Sequence, residues 1–166
     1  MHLLILDALC LQVAWFTAAI LQDSSTPWLC ALLLLRIGLD GGRWHSLKPA
    51  LLVATAGVSL ELFMIQAGLS QYNSATHLPV WLPLLWVLFG FTFGRSMNWL
   101  LSSPLPLQSA LGALAGTLTY FSANAFGVLD LKPAAFISAL CLAILWAAAL
   151  PLFAGLYRQS SWSTEQ

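Results

Sequence analysis

The sequence predicts an all-α polytopic membrane bundle of six transmembrane helices, with both termini on the cytoplasmic side. Three observations carry this expectation. Of 166 residues, 60% are apolar or aromatic and only 7% are charged, whereas soluble domains are about 25% charged. The apolar residues form long unbroken runs, unlike the short alternating segments of a β-barrel. The pieces between runs carry Pro, Gly, Asn, Asp or Ser, the residues that punctuate helices. Together these features exclude a soluble enzyme, a disordered tail and a secreted disulfide scaffold. Six Lys+Arg against six Asp+Glu leave no charge excess for a nucleic-acid partner.

A bilayer core about 30 Å thick needs roughly 20 helical residues per crossing. The first run, 3–21, has no basic residue ahead of it apart from His2, and Asp7 interrupts it, so it reads as a retained helix and not as a signal peptide. The second, 27–39, is short and contains Arg36. Arg36 and Arg43 are expected to snorkel to the headgroups while their stems stay buried. The remaining runs are 47–69, 78–101, 107–128 and 134–157, with separators at 22–26, 40–46, 70–77, 102–106 and 129–133. Six spans with a cytoplasmic N-terminus put Arg36, Arg43, Lys48, Arg95 and Arg158 inside and only Lys132 outside, as the positive-inside rule favours. The chain reads as one domain, 1–158, with a short tail, 159–166, and shows no repeat in the 20–50 residue range. Trp28, Trp44, Trp81, Trp99 and Trp162 fall at run ends, where indoles favour the interface. Trp15, Trp86 and Trp146 lie deeper, between helices. Pro83 and Pro151 are candidate kinks.

Small-residue pairs mark close helix contacts, because lipid offers no hydrophobic drive for association. Gly90 and Gly94 form one such pair and Gly112 and Gly116 another. Stepping by four from the second pair continues to Tyr120 and Asn124. Packing within the bundle is the plain expectation; a dimer seam or a groove for a lipid tail is the sharper one.

Each ionisable group within hydrocarbon costs about 2.5–3.5 kcal/mol on insertion scales and therefore calls for a partner. Depth along the helices, at about 1.5 Å per residue, sorts them into two groups. An inner cluster comprises Asp7, Gln12, Arg95 and Asn98, with Asp7 and Arg95 the expected ion pair. An outer cluster comprises Glu61, Gln66, Tyr120 and Asn124, with Glu61 level with Tyr120. Arg95 and Asn98, three apart, are expected on one helix face. The inner group reads as a structural lock or as a headgroup or carboxylate site built on Arg95. Glu61 is either neutral and bonded to Tyr120 or the lining of a path for a cation or proton. Cys10, Cys30 and Cys141 sit in apolar runs without a CxxC pair, and His2, His45 and His77 are dispersed. No metal site, catalytic residue or cofactor is expected.

These residues bring the chain close to a known pattern. Leu11-Gln12-Val13-Ala14-Trp15-Phe16, Pro27-Trp28-Leu29, Glu61 followed by Gly68, Pro79-Val80-Trp81, Arg95-Ser96-Met97-Asn98-Trp99-Leu100 and Gly112 through Tyr120 resemble a bacterial inner-membrane family catalogued as domain of unknown function 2878. The family pattern has Asp where this chain has Glu61 and Pro where it has Thr117, so the carboxylate is kept. The resemblance implies an inner-membrane location and, through fatty-acid-modifying enzymes encoded near its members, a link to lipid metabolism by association.

Three functional expectations follow. The leading one is a non-catalytic lipid- or small-molecule-binding subunit, or a scaffold of a membrane complex, whose partners are membrane lipids and a membrane protein or a second copy of the chain. The second is a small transporter or channel using Glu61. The third, a lipid-modifying enzyme using Glu61 or Asp7 as acid or base, lacks a histidine cluster, a metal set or a serine elbow.

Overall fold

In a computed structural model the chain is described over residues 2–39 and 46–162. The connection carrying Asp40, Arg43, Trp44 and His45, the side chains of His2 and Trp162, and residues 163–166 of the expected tail lie outside the described residues. Six helices of twelve residues or more account for most of the rest. They are α1 (His2–Leu21), α2 (Thr26–Leu39), α3 (Leu47–Gln66), α4 (Trp81–Thr92), α6 (Leu105–Ala125) and α7 (Ala135–Trp162). A 3₁₀ turn, Gln22–Ser25, joins α1 to α2, and α5 (Asn98–Leu101) is a single turn. Strands β1 (Ser70–Tyr72) and β2 (Leu129–Leu131) pair antiparallel. Among the described residues, three segments are long and apolar enough to cross a membrane: Leu3–Gly38, which covers nearly all of α1 and α2, Leu47–Gln66 and Ala135–Ser161. Many large side chains on α1 and α7, among them Ile20, Phe136 and Ile144, are more than half exposed. An apolar exterior of this extent suits lipid and not water.

The packing follows from small residues at helical spacing. On α3 the buried positions are Pro49, Ala50, Val53, Ala54, Gly57, Glu61 and Met64, a stripe of i, i+3 and i+4 steps. The α6 stripe is Gln108, Gly112, Gly116, Tyr120 and Ala123. α4 is the central helix and packs on α1, α2 and α3; α7 packs on α3 and carries α6 on its other side. As a result α1 and α6 face each other at the two ends of the arrangement.

Two expectations are corrected here. Residues 78–101 do not form one helix. After Thr92 the chain turns, with Arg95 N–H donating to Thr92 O at 3.1 Å and Met97 N–H to the same oxygen at 2.7 Å. The Ser96 N–H leaves the helical ladder to donate to Asp7 at 3.1 Å. Arg95 therefore sits in the turn and Asn98 opens α5, so they share no face of a continuous helix. At the other end α7 runs past Arg158 to Trp162.

A repeat is also present, at a spacing longer than the 20–50 residues searched. α3 and α6 each end on a glycine in the left-handed region, Gly68 (φ 68°) and Gly127 (φ 69°). Leu69 N–H donates to Met64 O and Val128 N–H to Ala123 O, both at 2.9 Å, the six-to-one closure of a Schellman cap. Each cap feeds a strand and then another helix. Gly57 and Gly116, Glu61 and Tyr120, Gly68 and Gly127, and Gln71 and Asp130 all share the 59-residue separation of the Glu61–Tyr120 pair. Gln71 and Asp130 are themselves partners at the middle of the ribbon, so the two α–β–α units meet about a local two-fold relation.

Candidate functional site

Glu61 stands on the buried stripe of α3 and is 3% exposed. Its carboxyl accepts three hydrogen bonds: from Tyr120 Oη to Oε1 at 2.6 Å, from Trp86 Nε1 to Oε1 at 3.3 Å, and from Tyr72 Oη to Oε2 at 2.9 Å. Tyr120 was expected. Tyr72 was not, because it lies in a stretch read as a loop, and Trp86 was read only as packing. The ribbon explains Tyr72: β1 turns its first and third residues inward, and the third reaches Glu61. Burial, and next the Glu61 carboxyl beside it, hold the Tyr72 phenol well above its usual range, so it is a hydroxyl donor at neutral pH.

Close helix approach sets the rest of this wall. A Cβ on Gly57 would overlap the Trp86 ring, and one on Gly116 would overlap the Trp146 ring. The two indoles stack with centroids 5.9 Å apart and planes 10° apart, and Tyr120 lies against Trp146 at 6.2 Å. Gly112 abuts Trp146 O and Leu150 of α7, Gly90 abuts the Ala50 backbone of α3, and Gly94 abuts the Tyr157 hydroxyl of α7. All four small-residue positions thus stand against other helices of the same chain.

Glu61 and the stacked indoles form one wall of a cavity of about 460 Å³, within the roughly 300–1,000 Å³ typical of small-molecule sites. α1 supplies Leu11, Gln12, Trp15, Phe16 and Ala19, and α6 supplies Ala115, Leu118, Thr119 and Tyr120. The cavity lies where α1 and α6 face each other, and the exposed Phe16 and Leu118 stand at its edge. Trp15 of this lining stands edge-on to Phe126, with rings 5.9 Å apart, and Gln22 Nε2 donates to Gly127 O at 3.2 Å. The buried indole N–H groups of Trp81 and Trp146 have no bonded acceptor.

The other expected members fall elsewhere. Gln12 belongs to the cavity and not to the Asp7 cluster. Gln66 is exposed at the end of α3, and Asn124 is exposed at the end of α6, where its Oδ1 accepts the Leu131 N–H at 3.1 Å and holds β2 in place. Asn98 is exposed and Arg95 half-buried. The partner of Asp7 is Arg36, whose Nε donates to Oδ1 at 2.6 Å, while Ser96 N–H and Oγ donate to Oδ2. Arg36 was expected to snorkel; instead it is 3% exposed, donating to Phe91 O at 3.5 Å with its guanidinium 4.9 Å from the Phe91 ring centroid. A guanidinium of this depth is stabilised by pairing and ring stacking together. Trp81, expected at the interface, is buried against Tyr72.

Among known proteins, no curated protein and no solved structure matches the chain. The family model described as Protein of unknown function (DUF2878) matches residues 4–152. That interval takes in the Asp7–Arg36 pair, the first α–β–α unit, the second as far as the middle of α7 and every side chain bonded to Glu61, and the chain belongs to the DUF2878 family.

Proposed function

We propose that the chain is a multi-pass bacterial inner-membrane protein that binds a lipid-like molecule between α1 and α6, as the non-catalytic binding subunit or scaffold of a membrane complex. In this reading α1, α2, α3, the α4–α5 unit, α6 and α7 are the six crossings and the N-terminus is cytoplasmic. The arginine and lysine bias supports that orientation. The observation that carries the binding role is the cavity of about 460 Å³, apolar over most of its wall, bounded by exposed apolar residues at its edge and holding one buried carboxyl. A tail can enter sideways from the bilayer while a polar end meets Glu61, Gln12 and the indole N–H groups.

Native mass spectrometry of the protein released from nanodiscs tests this. The wild type should carry an adduct of lipid mass, and Ala115→Trp, which fills the cavity from α6, should lose it. A bare mass for both proteins refutes the reading. A second reading, a small transporter, draws on the position of Glu61 where two repeated units meet, as substrate sites do in transporters built from repeats. Flux in liposomes that disappears in Glu61→Gln would favour it.

A further inference from the structure

We infer that the molecule held in this cavity is an amphiphile with one cationic nitrogen, its ammonium seated against Glu61 within the ring of aromatic side chains. This rests on the binding role proposed above and adds the chemical class of the ligand.

Three features of the wall select positive charge. First, among the described residues no Lys, Arg or His lines the cavity, and Glu61 is the one acidic residue that does. An anionic head would meet an uncompensated carboxylate at close range, which is costly where water is excluded. A cationic head would neutralise it.

Second, the acceptor capacity of Glu61 is not exhausted. An ionised carboxylate offers about four lone-pair positions. Tyr120 and Trp86 occupy two on Oε1, and Tyr72 occupies one on Oε2. One position on Oε2 remains, suited to an N–H donor. The surrounding donors hold the carboxylate in place, so a bound ammonium meets a fixed acceptor.

Third, the groups around Glu61 are aromatic. Trp86 and Trp146 stack, Tyr120 adjoins Trp146, and Tyr72 stands edge-on to Trp81 with centroids 6.1 Å apart. Aromatic faces attract cations through their quadrupoles, most strongly when the pair is removed from water. The rest of the wall, with Leu11, Leu82 and Leu150, suits a hydrocarbon tail.

The test uses the full-length protein in nanodiscs and three probes that share one tail: dodecylammonium, dodecanol and dodecanoate. Binding is read by calorimetry and by quenching of intrinsic tryptophan fluorescence. The wild type should bind dodecylammonium about tenfold or more tighter than dodecanol, equivalent to about 1.4 kcal/mol, with dodecanoate weakest. Glu61→Gln should weaken dodecylammonium by about that tenfold and so abolish its advantage over dodecanol. The wild-type ranking decides by itself should Glu61→Gln fail to fold. Dodecanol or dodecanoate binding as tightly as dodecylammonium overturns the charge assignment but leaves the binding role standing, as does an advantage that survives in a folded Glu61→Gln. Failure of all three probes to bind overturns both.

Discussion

Tyr120 donates to Glu61 at 2.6 Å across the join of two α–β–α units in which the two residues hold equivalent places. The pairing is asymmetric by chemistry: one unit supplies the acceptor and the other a donor at the same position of its own stripe. Equivalent backbones bring the two side chains to the same depth, and burial makes the bond matter, because an unmatched polar group here has no water to turn to. Tyr120→Phe should therefore cost about 1–3 kcal/mol, the range for a hydrogen bond whose loss leaves a buried polar group short of a partner. Trp86→Phe should cost more than its 3.3 Å bond alone accounts for, since the smaller ring also gives up part of the stack on Trp146. Reversible unfolding in mixed micelles gives both values. No loss for Tyr120→Phe would show that the carboxyl is held by something else.

The glycines facing Trp86 and Trp146 make a second prediction. Gly116→Ala places a methyl inside the Trp146 ring, which must tilt away from Trp86 and loosen the stack beside Glu61. Overpacking of this kind costs about 1–3 kcal/mol, and Gly57→Ala should behave alike because it stands against Trp86 in the same way. Gly155→Ala on α7 is the control: nothing lies within 4 Å of its Cβ position, so the better helix propensity of Ala should leave stability unchanged or slightly raised. Thermal unfolding and near-ultraviolet circular dichroism report on both the energy and the stacked indoles.

What the amino-acid order disclosed and what it concealed differ for physical reasons. Apolar runs located α1, α3, α6 and α7 to within a few residues, because twenty-residue apolar stretches have few other uses. Depth arithmetic paired Glu61 with Tyr120 but paired Asp7 with Arg95, since rise along an axis says nothing of which way a side chain faces; Arg36 lies at a similar depth and on the correct side. Tyr72 escaped because a three-residue strand has too little pattern to register, although an aromatic residue in an otherwise polar stretch was a usable sign. The repeat escaped because little beyond its glycines is shared in sequence. Those glycines sit where a left-handed cap or a tryptophan ring leaves no alternative.

Tyr72 supplies a prediction in pH. Its phenol in the folded chain lies above its ordinary value of 10.0, so folding favours the protonated hydroxyl. For a group raised in the folded state, the stabilisation is complete below the unfolded value and is lost as pH climbs through the folded one. Tyr72 should thus add no pH dependence to the unfolding free energy near neutrality and an added downward slope above about pH 10. Tyr72→Phe should remove part of that slope. A wild type and a variant with parallel alkaline limbs would contradict it.

The Asp7–Arg36 pair is the remaining point of strain in the bundle, and it links α1, α2 and the turn after α4. Two charges at this depth incur a large desolvation cost, which mutual attraction, the Ser96 bonds and the Phe91 ring offset only as a set. Breaking one partner leaves the other charged and buried, and losses of about 3–5 kcal/mol are typical. Asp7→Leu and Arg36→Met should each destabilise by that order. The double variant Asp7→Leu with Arg36→Met removes both charges while keeping similar volume, so it should recover most of the loss, as apolar replacements of buried pairs often do. A double-mutant cycle in detergent measures the coupling. Additive losses would mean that each residue acts alone, and a double variant as stable as the wild type would mean that the pair serves to fix the register of α1 and α2 and not to strengthen the fold.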